Sequence, residues 1–600
     1  MIRVADYIAK KLTQYGVRDV FMISGGGSMH LNDAVGKCPD LHYICNHHEQ
    51  ASAIGAEGYA RVKNDLAVVV VTTGPGCTNT LTGLIGQWLD SVPVLYISGQ
   101  VKYETSVASC QEIGLRQLGD QEINIISMVK SVTKYSTMVT DPKTIRYHLE
   151  KSIHLAMSGR PGPVWLDVPL DVQGALVEET DLIGFAPDLT PPVNQDSQMA
   201  EVIKLISESV RPLFIFGRGV LISDARNLAL QLAEKMNVPV VSTFNAADLI
   251  PTDHRLHIGR IGTVGSRAGN FALQNADLII SVGSRNNIRQ VSYNWKTFAR
   301  SAKKIVVDID AAELEKRTVK PDIAICTDAH NFLSNLLKID IEKKLDWGMW
   351  LNWCQERKKK YLPVRMDRRG TEGKIDIYHF VEYFTSLIPN DSTMVAGNGS
   401  ACVCLFQAGH IKDNQKVFWN SGCASMGYDL PAAIGACFGS GKKEVYCFAG
   451  DGSLQMNIQE LQTVVHHHLP VKIIYLNNDG YVSIKQTQDN FFPGRRVACD
   501  PASGVSFPNM EKISHAYGLP YFSINSNEDL QSVSQKVISH DGPLIYEIFL
   551  PADYIYEPKL SSEKRPDGRM ISKPLEDLYP FLSREEFKEN MIVPIIEEGS

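Results

Sequence analysis

Short runs of β-branched and aliphatic residues recur along this chain and alternate with segments of helical periodicity. The clearest runs lie at positions 66–71, 92–97, 164–168, 213–216, 278–282, 305–309, 445–448 and 471–476. Strands that are apolar on both faces belong to parallel sheets with helices packed on either side, because a solvated face would carry alternating polar residues. The pattern therefore predicts an α/β fold of doubly wound parallel sheets.

Two interruptions divide the 600 residues into three such units. Positions 185–197 (FAPDLTPPVNQDS) are rich in proline and polar residues and indicate a linker, whereas positions 337–374 are highly charged and indicate a helical connector. We expect domains at 1–175, 198–340 and 375–552, followed by a charged, proline-punctuated tail at 553–600. The first and third domains have similar length and strand content, as a duplicated fold would.

The charge balance restricts the partners of the chain. It has 60 Lys and Arg against 67 Asp and Glu, a net charge of −7 that argues against binding nucleic acid or a membrane surface. No apolar run reaches the length of a membrane span, and the first residues lack the apolar segment of a signal peptide. The 12 scattered cysteines favour a reducing, cytoplasmic setting. We expect no nucleic acid and no membrane among the partners.

The strongest chemical signal is the segment 447–478 (CFAGDGSLQMNIQELQTVVHHHLPVKIIYLNN). A strand runs into a GDGS turn, a helix follows, and a second strand ends in Asn477 and Asn478. Asp451 and Asn478 would therefore meet at the carboxyl ends of neighbouring strands, where open α/β sheets bind ligands. One carboxylate and one amide oxygen suit Mg²⁺, whose remaining positions are filled by water and phosphate oxygens. A GDG triplet alone would indicate only an acidic turn.

This segment resembles the metal–diphosphate motif of thiamine-diphosphate-dependent enzymes, and the chain most resembles the catalytic subunit of the acetolactate (acetohydroxyacid) synthases. The resemblance extends to about residue 550 and includes positions 421–436 (SGCASMGYDLPAAIGA), 450–461 (GDGSLQMNIQEL) and 469–478 (LPVKIIYLNN). It implies a pyrimidine-binding first domain, a central nucleotide-like domain and a diphosphate-binding third domain.

The resemblance also assigns roles in the third domain. Asp451, Asn478 and the carbonyl of Gly480 would hold Mg²⁺, and Met426 would support the thiamine from below. The residues expected beside the diphosphate are Gly397, Asn398, Gly399, Ser400, Gly450, Gly452 and Ser453.

In the first domain, the resemblance makes Glu49 of NHHEQASAIGAEGYAR the acid that hydrogen-bonds the aminopyrimidine ring and promotes loss of the reactive proton of the thiazolium ring. Without that context, a Glu at a helix start would be only a favourable N-terminal acid. Gly-rich turns at 24–30 (SGGGSMH) and 72–79 (TTGPGCTN) would let the cofactor approach the backbone. They supply the candidate cofactor contacts Gly26, Gly27, Pro75 and Asn79. Gln100 and Lys134 are further catalytic candidates, although a solvated surface lysine is the alternative for Lys134.

The central domain resembles the domain that binds FAD in acetolactate synthases. Arg285 and Arg289 fall where the family has arginines beside the flavin, and Asp308 would approach the ribityl or adenosine portion. Asn287 and Ile261 stand where the family has Asp and His. Related decarboxylases leave this domain empty or bind other nucleotides in it. We expect thiamine diphosphate and Mg²⁺ as cofactors, with FAD as a third, structural one.

The implied activity is a decarboxylating carboligase that transfers a two-carbon unit from pyruvate, or a similar 2-oxo acid, to a second carbonyl. This is the reaction type of branched-chain amino-acid biosynthesis. In this family the Glu and the metal half of one site come from different subunits, so a homodimer or homotetramer with active sites at the subunit interface is implied.

Two departures from the family bear on the acceptor. Thr487 stands at the position of a Trp that selects 2-ketobutyrate, and Cys110 stands at the position of a Phe on the pyruvate side. Loss of both aromatic walls should admit a bulkier or more polar acceptor. The tail resembles those of acetolactate-synthase-like proteins from surface-polysaccharide clusters, which leaves open a nucleotide-linked keto sugar as acceptor. A simple 2-oxo acid decarboxylase or lyase, an acyl-CoA decarboxylase and a catalytically silent regulatory subunit are further alternatives.

Overall fold

A computed structural model describes residues 1–188, 196–339, 346–370, 373–564, 568 and 570–596. Within these ranges it has three six-stranded sheets, each parallel throughout. The predicted fold class is confirmed, and every apolar run noted above overlaps a strand. The four valines 68–71, for example, are at most 1% exposed, as expected for a strand covered on both faces.

The first domain has its sheet in the order β3-β2-β4-β5-β7-β6, with a short antiparallel pair of β1 and β8 beside it. Its strands are β1 (Ile2–Arg3), β2 (Asp19–Met22), β3 (His42–Cys45), β4 (Ala67–Val71), β5 (Val94–Gln100), β6 (Tyr135–Met138), β7 (Val164–Pro169) and β8 (Leu176–Val177). Its α-helices are α1 (Val4–Gln14), α2 (Met29–Lys37), α3 (Glu49–Lys63), α4 (Pro75–Thr78), α5 (Leu81–Asp90), α6 (Ile125–Val129), α7 (Ile145–Met157) and α8 (Leu170–Gly174).

The central domain has the sheet order β11-β10-β9-β12-β13-β14. Numbered within the domain this is 3-2-1-4-5-6, the strand order of dinucleotide-binding folds. The strands are β9 (Pro212–Phe216), β10 (Val240–Ser242), β11 (His257–Arg260), β12 (Leu278–Val282), β13 (Lys303–Asp308) and β14 (Ile323–Cys326). The α-helices are α9 (Asp196–Glu208), α10 (Arg218–Ile222), α11 (Arg226–Met236), α12 (Arg267–Asn275), α13 (Ile288–Val291), α14 (Ala311–Leu314), α15 (Ala329–Lys338) and α16 (Gly348–Lys360).

Helix α16 lies in the predicted connector yet packs on the core of the central domain. Trp347 and Trp350 are each 4% exposed, and their indole N–H groups donate to the carbonyls of Ser209 and Pro212 at 2.9 Å. The central domain therefore extends beyond the predicted boundary at residue 340, because these aromatic side chains complete its core. Residues 189–195 of the predicted linker lie outside the described residues.

The third domain has the sheet order β16-β15-β17-β18-β20-β19. Numbered within each domain, the first and third sheets share the order 2-1-3-4-6-5, which supports the expected duplication. The strands are β15 (Thr393–Ala396), β16 (Lys416–Phe418), β17 (Val445–Gly450), β18 (Val471–Asn477), β19 (Tyr521–Ile524) and β20 (Leu544–Phe549). The α-helices are α17 (Ile377–Leu387), α18 (Ser400–Ala408), α19 (Asp429–Gly439), α20 (Asp451–Gln455), α21 (Leu461–His466), α22 (Val482–Phe491), α23 (Met510–Tyr517) and α24 (Asn527–Ser539).

The tail carries the antiparallel pair β21 (Ser562–Lys564) and β22 (Met570–Ser572) and the helix α25 (Arg584–Glu589). Its first residues, through Lys559, contact the third domain, and from Leu560 onward its described residues pack on the central domain. Leu575 is fully buried in the central core, and the carboxylate of Glu576 bonds Gln274 at 2.5 Å and Arg300 at 2.7 Å. The tail is thus an integral part of the fold.

Each sheet places its motif turns where the strand order reverses. These topological switch points are the usual ligand crevices of open α/β sheets. In the first domain the turns follow β2 and β4, in the central domain they follow β9 and β12, and in the third domain they follow β15 and β17. The predicted turns at 24–30, 72–79, 397–400 and 450–453 therefore lie at the ligand-binding edges of the first and third sheets.

Candidate active site

The three predicted metal ligands lie together at the ends of β17 and β18. The carboxylate of Asp451 accepts backbone hydrogen bonds from Gly452 (2.7 Å), Gly480 (3.0 Å) and Asn478 (3.2 Å). The side-chain amide of Asn478 lies 3.4 Å from Asp451 Oδ2 and donates to the carbonyl of Gly480. One carboxylate, one amide and one carbonyl oxygen are thereby concentrated in one place.

This donor set fits a hard divalent cation. Burial raises the pKa of Asp451 to about 6, against the opposing effect of the neighbouring backbone N–H groups and Lys485. A cation would favour the ionised carboxylate. Rotating the Asn478 amide by about 180° would turn its oxygen toward the same place, and the nitrogen and oxygen of such an amide are assigned from hydrogen bonding. Among the described residues no group of three or more His, Cys, Asp or Glu side chains forms a metal site.

Lys485, which the sequence did not single out, supports this loop from α22. It is 2% exposed, and its ammonium donates to the carbonyls of Asp479 (2.9 Å), Ala552 (3.2 Å) and Asn478 (3.3 Å). Gly480 has φ of +136°, and a Cβ there would lie 2.6 Å from Lys485 Cε. The positive φ and the Cys499 carbonyl, 2.4 Å from such a Cβ, make position 480 a glycine, and the lysine holds the carbonyls around it.

The turn after β15 is shaped by close approach of backbone and side chains. A Cβ on Gly397 would lie 2.2 Å from Asp429 Oδ2, and Gly399 has φ of +108°, a conformation that favours glycine. Asn398 donates to the carbonyl of Ser425 at 2.8 Å. Ser400 begins α18, so its backbone lies at a helix N-terminus, where anions are favoured.

Two buried oxygens beside this turn have no hydrogen-bond partner among the described residues. They are Asp429 Oδ2 and Ser425 Oγ. Burial raises the pKa of Asp429 to about 6, and Ser453 and the backbone of Leu430 oppose the shift. Unsatisfied buried polar atoms are rare in folded proteins and mark places where a ligand or water completes the bonding. Both oxygens lie beside the predicted diphosphate turn, where a donor on a ligand or a water could reach them.

The GDG turn itself is tightly enclosed. Gly450 precedes α20 as its N-cap residue, and Ser453 Oγ accepts from the backbone of Gly427 at 2.9 Å. A Cβ on Gly452 would lie 2.1 Å from the ring of Tyr481 and 3.0 Å from Met426 Cε. The structure therefore places Met426 against the turn that carries Asp451.

In the first domain, Glu49 and Asn79 meet. Glu49 is the first residue of α3, and its Oε2 accepts from Asn79 Nδ2 at 2.9 Å. Asn79 follows the short α4, which begins at Pro75. A partly exposed carboxylate held by one amide remains available to a ligand.

The glycine turn after β2 lies beside this pair of turns. The backbone N–H of Gly27 donates to Thr72 Oγ1 at 3.0 Å. A Cβ on Gly99, in β5, would lie 2.1 Å from the carbonyl oxygen of Gly27. A Cβ on Gly26 would meet nothing within 4 Å, so its backbone borders open space. The two predicted glycines therefore differ, because Gly27 packs against β5 whereas Gly26 is open to a ligand.

The first and third domains dock through α3 and α19. A Cβ on Gly435 would lie 1.7 Å from the carbonyl oxygen of Gly55, so the helices touch backbone to backbone. Near the start of α3, Gln50 accepts from Asn457 at 3.0 Å, and Asn457 also donates to Gly427 at 2.7 Å. The residue after Glu49 is thus joined through one asparagine to the residue after Met426.

Gln100 ends β5 inside the domain rather than on its surface. It is fully buried, its Nε2 donates to Asp167 (3.1 Å) and Ile123 O (3.0 Å), and its Oε1 accepts from Thr73 (2.7 Å). All of its donors and its acceptor are engaged, so this conformation leaves no group for substrate. A direct catalytic contact of Gln100 therefore stays a prediction that the structure does not display.

Lys134 is half-buried rather than solvated. Its ammonium donates to the carbonyls of Ser158 (2.5 Å) and Arg160 (2.8 Å), just beyond the C-terminus of α7. Burial lowers its pKa to about 8. Here Lys134 ties down the end of a helix, where a cation is favourable, and its catalytic role stays a prediction.

A cavity lies at the switch point of the central sheet, against the first domain. Arg285 and Asp308 both line it. Arg285 donates to the carbonyl of Leu89 at 2.5 Å and lies 3.3 Å from Asp90, whereas burial raises the pKa of Asp308. Arginines beside phosphates and an acid beside ribose suit a nucleotide at such a crevice.

Arg289 is placed apart from these two residues. Its guanidinium stacks on the ring of Phe244 at 4.3 Å, and it does not line the cavity. Asn287, which stands at the position of a family Asp, caps α13 by accepting from Gln290 N at 3.2 Å. The structure thus brings together only part of the predicted flavin contacts.

Three parallel sheets, with Glu49 after β3 of the first and an Asp–Asn oxygen site at the ends of β17 and β18 of the third, form the arrangement that the sequence predicted. Models of the N-terminal TPP binding domain (2–128), central domain (199–336) and C-terminal TPP binding domain (397–548) of thiamine pyrophosphate enzymes match the sequence. The chain therefore belongs to the thiamine pyrophosphate enzyme family.

Named relatives narrow the class further. The chain is 32% identical to acetolactate synthase 1, chloroplastic, of Nicotiana tabacum, over 91% of this chain and 81% of the relative. It is 32% identical to the acetolactate synthase large subunit of Lactococcus lactis (91% and 92%) and 30% identical to the acetolactate synthase isozyme 1 large subunit of Escherichia coli (92% and 94%). It is a thiamine-diphosphate-dependent enzyme of the acetolactate synthase type. No helix among the described residues is long and apolar enough to cross a membrane.

Proposed function

We propose that this enzyme is a cytoplasmic, Mg²⁺-dependent carboligase that decarboxylates pyruvate, or a similar 2-oxo acid, and joins the two-carbon unit to a second carbonyl. The observation that carries the proposal is the pairing of two complete constellations in one chain. Glu49 is held by Asn79 at one sheet edge, and Asp451, Asn478 and Gly480 converge at another.

When bound, thiamine diphosphate would supply the carbanion chemistry. The work of the protein is then positioning and proton transfer. Asp451, Asn478 and Gly480 O would hold Mg²⁺, and the turn at 397–400 would hold the diphosphate with backbone N–H groups. Met426 would support the thiamine ring. Glu49 would share a proton with the aminopyrimidine nitrogen, and Asn79 would keep its carboxylate oriented.

Purified enzyme supplied with thiamine diphosphate, Mg²⁺ and pyruvate should release CO₂ and form 2-acetolactate. Glu49→Gln should lower turnover by about 10²- to 10⁴-fold, because a general acid–base group is lost. Glu528→Gln, an exposed acid in the first turn of α24, is the matched control. Absence of CO₂ release with every 2-oxo acid tested would refute the decarboxylase assignment, and full activity of Glu49→Gln would refute the role of Glu49.

A keto sugar acceptor is the second candidate, favoured by the small side chains at the two wall positions. Thr487 is exposed and turns its hydroxyl to the carbonyl of Ser483 at 2.9 Å, and Cys110 is partly exposed. Neither residue closes off a large acceptor. Mass spectrometry of the products formed with and without a nucleotide-linked keto sugar separates the two acceptors, since only this candidate yields a branched sugar.

We further propose that the central cavity holds a dinucleotide, FAD, in a structural role. The support is the strand order of the domain and the placement of Arg285 and Asp308 at its crevice. A yellow preparation that releases flavin fluorescence on denaturation would agree with this, and a colourless one after incubation with FAD would not. A homodimer or homotetramer with shared active sites completes the proposal.

A further inference from the structure

A second cavity lies where the central domain, the third domain and α16 meet. It is lined by Thr252, His257, Arg260, Lys358, Tyr361 and Gly409. The cavity adjoins the C-terminal end of α18, whereas the predicted diphosphate turn is at the N-terminal end of that helix. At about 1.5 Å per residue, the nine residues of α18 separate the two places by roughly 13 Å.

Arg260 is a buried cation in this cavity without a carboxylate partner. It is 5% exposed, and its guanidinium donates only to neutral oxygens: the carbonyls of Phe406 (2.5 Å) and Gly409 (2.8 Å), and more weakly Thr252 Oγ1 (3.5 Å). Its Nε has no partner among the described residues. Burial alone lowers the pKa of Arg260 to about 10, and no carboxylate opposes the shift.

Lys358 adds a second cation to the same cavity. Its ammonium donates to the carbonyl of Thr252 at 2.8 Å, and burial lowers its pKa to about 8. The charge of Asp253 partly offsets this lowering of the pKa of Lys358. The Asp253 side chain is 81% exposed, and its Oδ2 lies 3.3 Å from His410 Nε2.

The other acid that lines the cavity is Glu382. Its carboxylate lies 2.7 Å from Arg369 and is therefore already paired. Within the part of the chain described, no carboxylate forms an ion pair with Arg260 or Lys358, and Asp253 offsets the charge of Lys358 only from an exposed position.

A buried guanidinium beside a half-buried ammonium is costly unless an anion neutralises the pair. Backbone carbonyls offset part of that cost, because cations are favoured at the C-terminus of a helix. These carbonyls accept no hydrogen bond from the Nε–H group of Arg260. The planar guanidinium to which it belongs is suited to phosphate and carboxylate oxygens. The charge and geometry of the cavity therefore match a compact oxyanion.

We propose that this cavity binds the phosphoryl or carboxylate group of a small metabolite, held by Arg260 and Lys358. The site is separate from the proposed active site, and none of the residues assigned to the cofactors or to catalysis lines it.

The test uses the holoenzyme, saturated with thiamine diphosphate and Mg²⁺ so that the diphosphate turn does not take up the probe. Isothermal titration is run with inorganic phosphate in one arm and malonate in the other, at an ionic strength fixed with KCl. Saturable binding in at least one arm is expected. Binding in the phosphate arm alone identifies a phosphoryl site, and binding in the malonate arm alone identifies a carboxylate site.

Lys358→Met should weaken that binding by about tenfold or more, the loss of one charge-assisted hydrogen bond. Lys359→Met, the exposed neighbour on the same helix, is the matched control and should bind as the unaltered enzyme does. Arg260→Met should also abolish binding, but Lys358→Met decides the matter because Arg260 also holds the end of α18. No saturable heat in either arm, or unchanged binding by Lys358→Met, would overturn the proposal.

Discussion

The hydroxyl of Tyr556 lies 2.9 Å from the hydroxyl of Ser400, the residue that opens α18 at the predicted diphosphate turn. The same Tyr556 oxygen lies 2.9 Å from Ser483 Oγ on α22. Tyr554, two residues earlier, contacts Asn478 Oδ1 at 3.4 Å. The start of the tail therefore ties the diphosphate turn to the helix that carries the acceptor position Thr487.

Tyr556→Phe should loosen this connection without changing the packing of the ring. The hydroxyls of buried Ser400 and half-buried Ser483 lose a partner. We expect thiamine diphosphate affinity to fall by about three- to tenfold, since a typical hydrogen bond contributes about 1 kcal/mol. Fluorescence titration with the cofactor measures the change. Tyr383→Phe on α17, whose hydroxyl makes no hydrogen bond within the described residues, should leave the affinity unchanged. Equal affinities in both variants would contradict the link.

Lys485→Met should weaken Mg²⁺ binding although Lys485 is not itself a predicted ligand. Removing the ammonium frees the carbonyls of Asn478, Asp479 and Ala552, so the loop that carries Gly480 loses its support. Altering a group behind metal ligands typically costs about 10- to 100-fold in metal affinity.

Titration of the thiamine-diphosphate enzyme with Mg²⁺ measures that affinity. Lys536→Met on α24 serves as the surface control. Metal affinity that stays the same or rises in Lys485→Met would contradict this prediction. It would show that repulsion between the ammonium and Mg²⁺ outweighs the support that the ammonium gives the loop.

Asp167→Asn should change the pH dependence of stability. Burial raises the pKa of Asp167 to about 7, although Ser98 and Gln100 donate to it. Between the unfolded value near 4 and pH 7, the unfolded state loses the proton while the folded state keeps it. Folding therefore becomes less favourable as the pH rises, by about 4 kcal/mol in total for this group.

The variant does not ionise at position 167 and should escape that loss. Its melting temperature should improve relative to the unaltered enzyme as the pH rises from 4 to 8, whatever the constant cost of the exchange. Asp171→Asn, on α8, provides the control. A difference in melting temperature that stays flat across this range would show that Asp167 is ionised in the folded protein.

Mixing two inactive variants tests whether the active site is shared between subunits. Glu49→Gln inactivates the pyrimidine half of the site, and Asp451→Ala inactivates the metal–diphosphate half. If the halves come from different subunits, random reassembly in equal amounts should restore about a quarter of the activity, because half of the dimers regain one intact site. Activity that stays at background after demonstrated subunit exchange would mean that both halves come from the same chain.

The sequence predicted the strands and the motif turns correctly. Apolar runs identified the strands, and the GDG and NN motifs identified Asp451 and Asn478, because both signals are local. It did not identify Lys485, since a lone lysine on a helix is usually solvated and only the fold shows it 2% exposed among three carbonyls. It also gave no sign that Gln100 is fully bonded within its own domain or that Lys134 holds the end of α7.

By itself the sequence determined that the chain folds into three parallel-sheet domains and that its motif residues sit at strand ends. Strand and turn preferences act over a few residues, so they can be read from the chain. The tertiary structure alone decided that the tail from Leu560 onward packs on the central domain and that Tyr556 reaches Ser400, 156 positions away. Such contacts depend on which buried surfaces meet when distant segments pack, and no local preference contains that information.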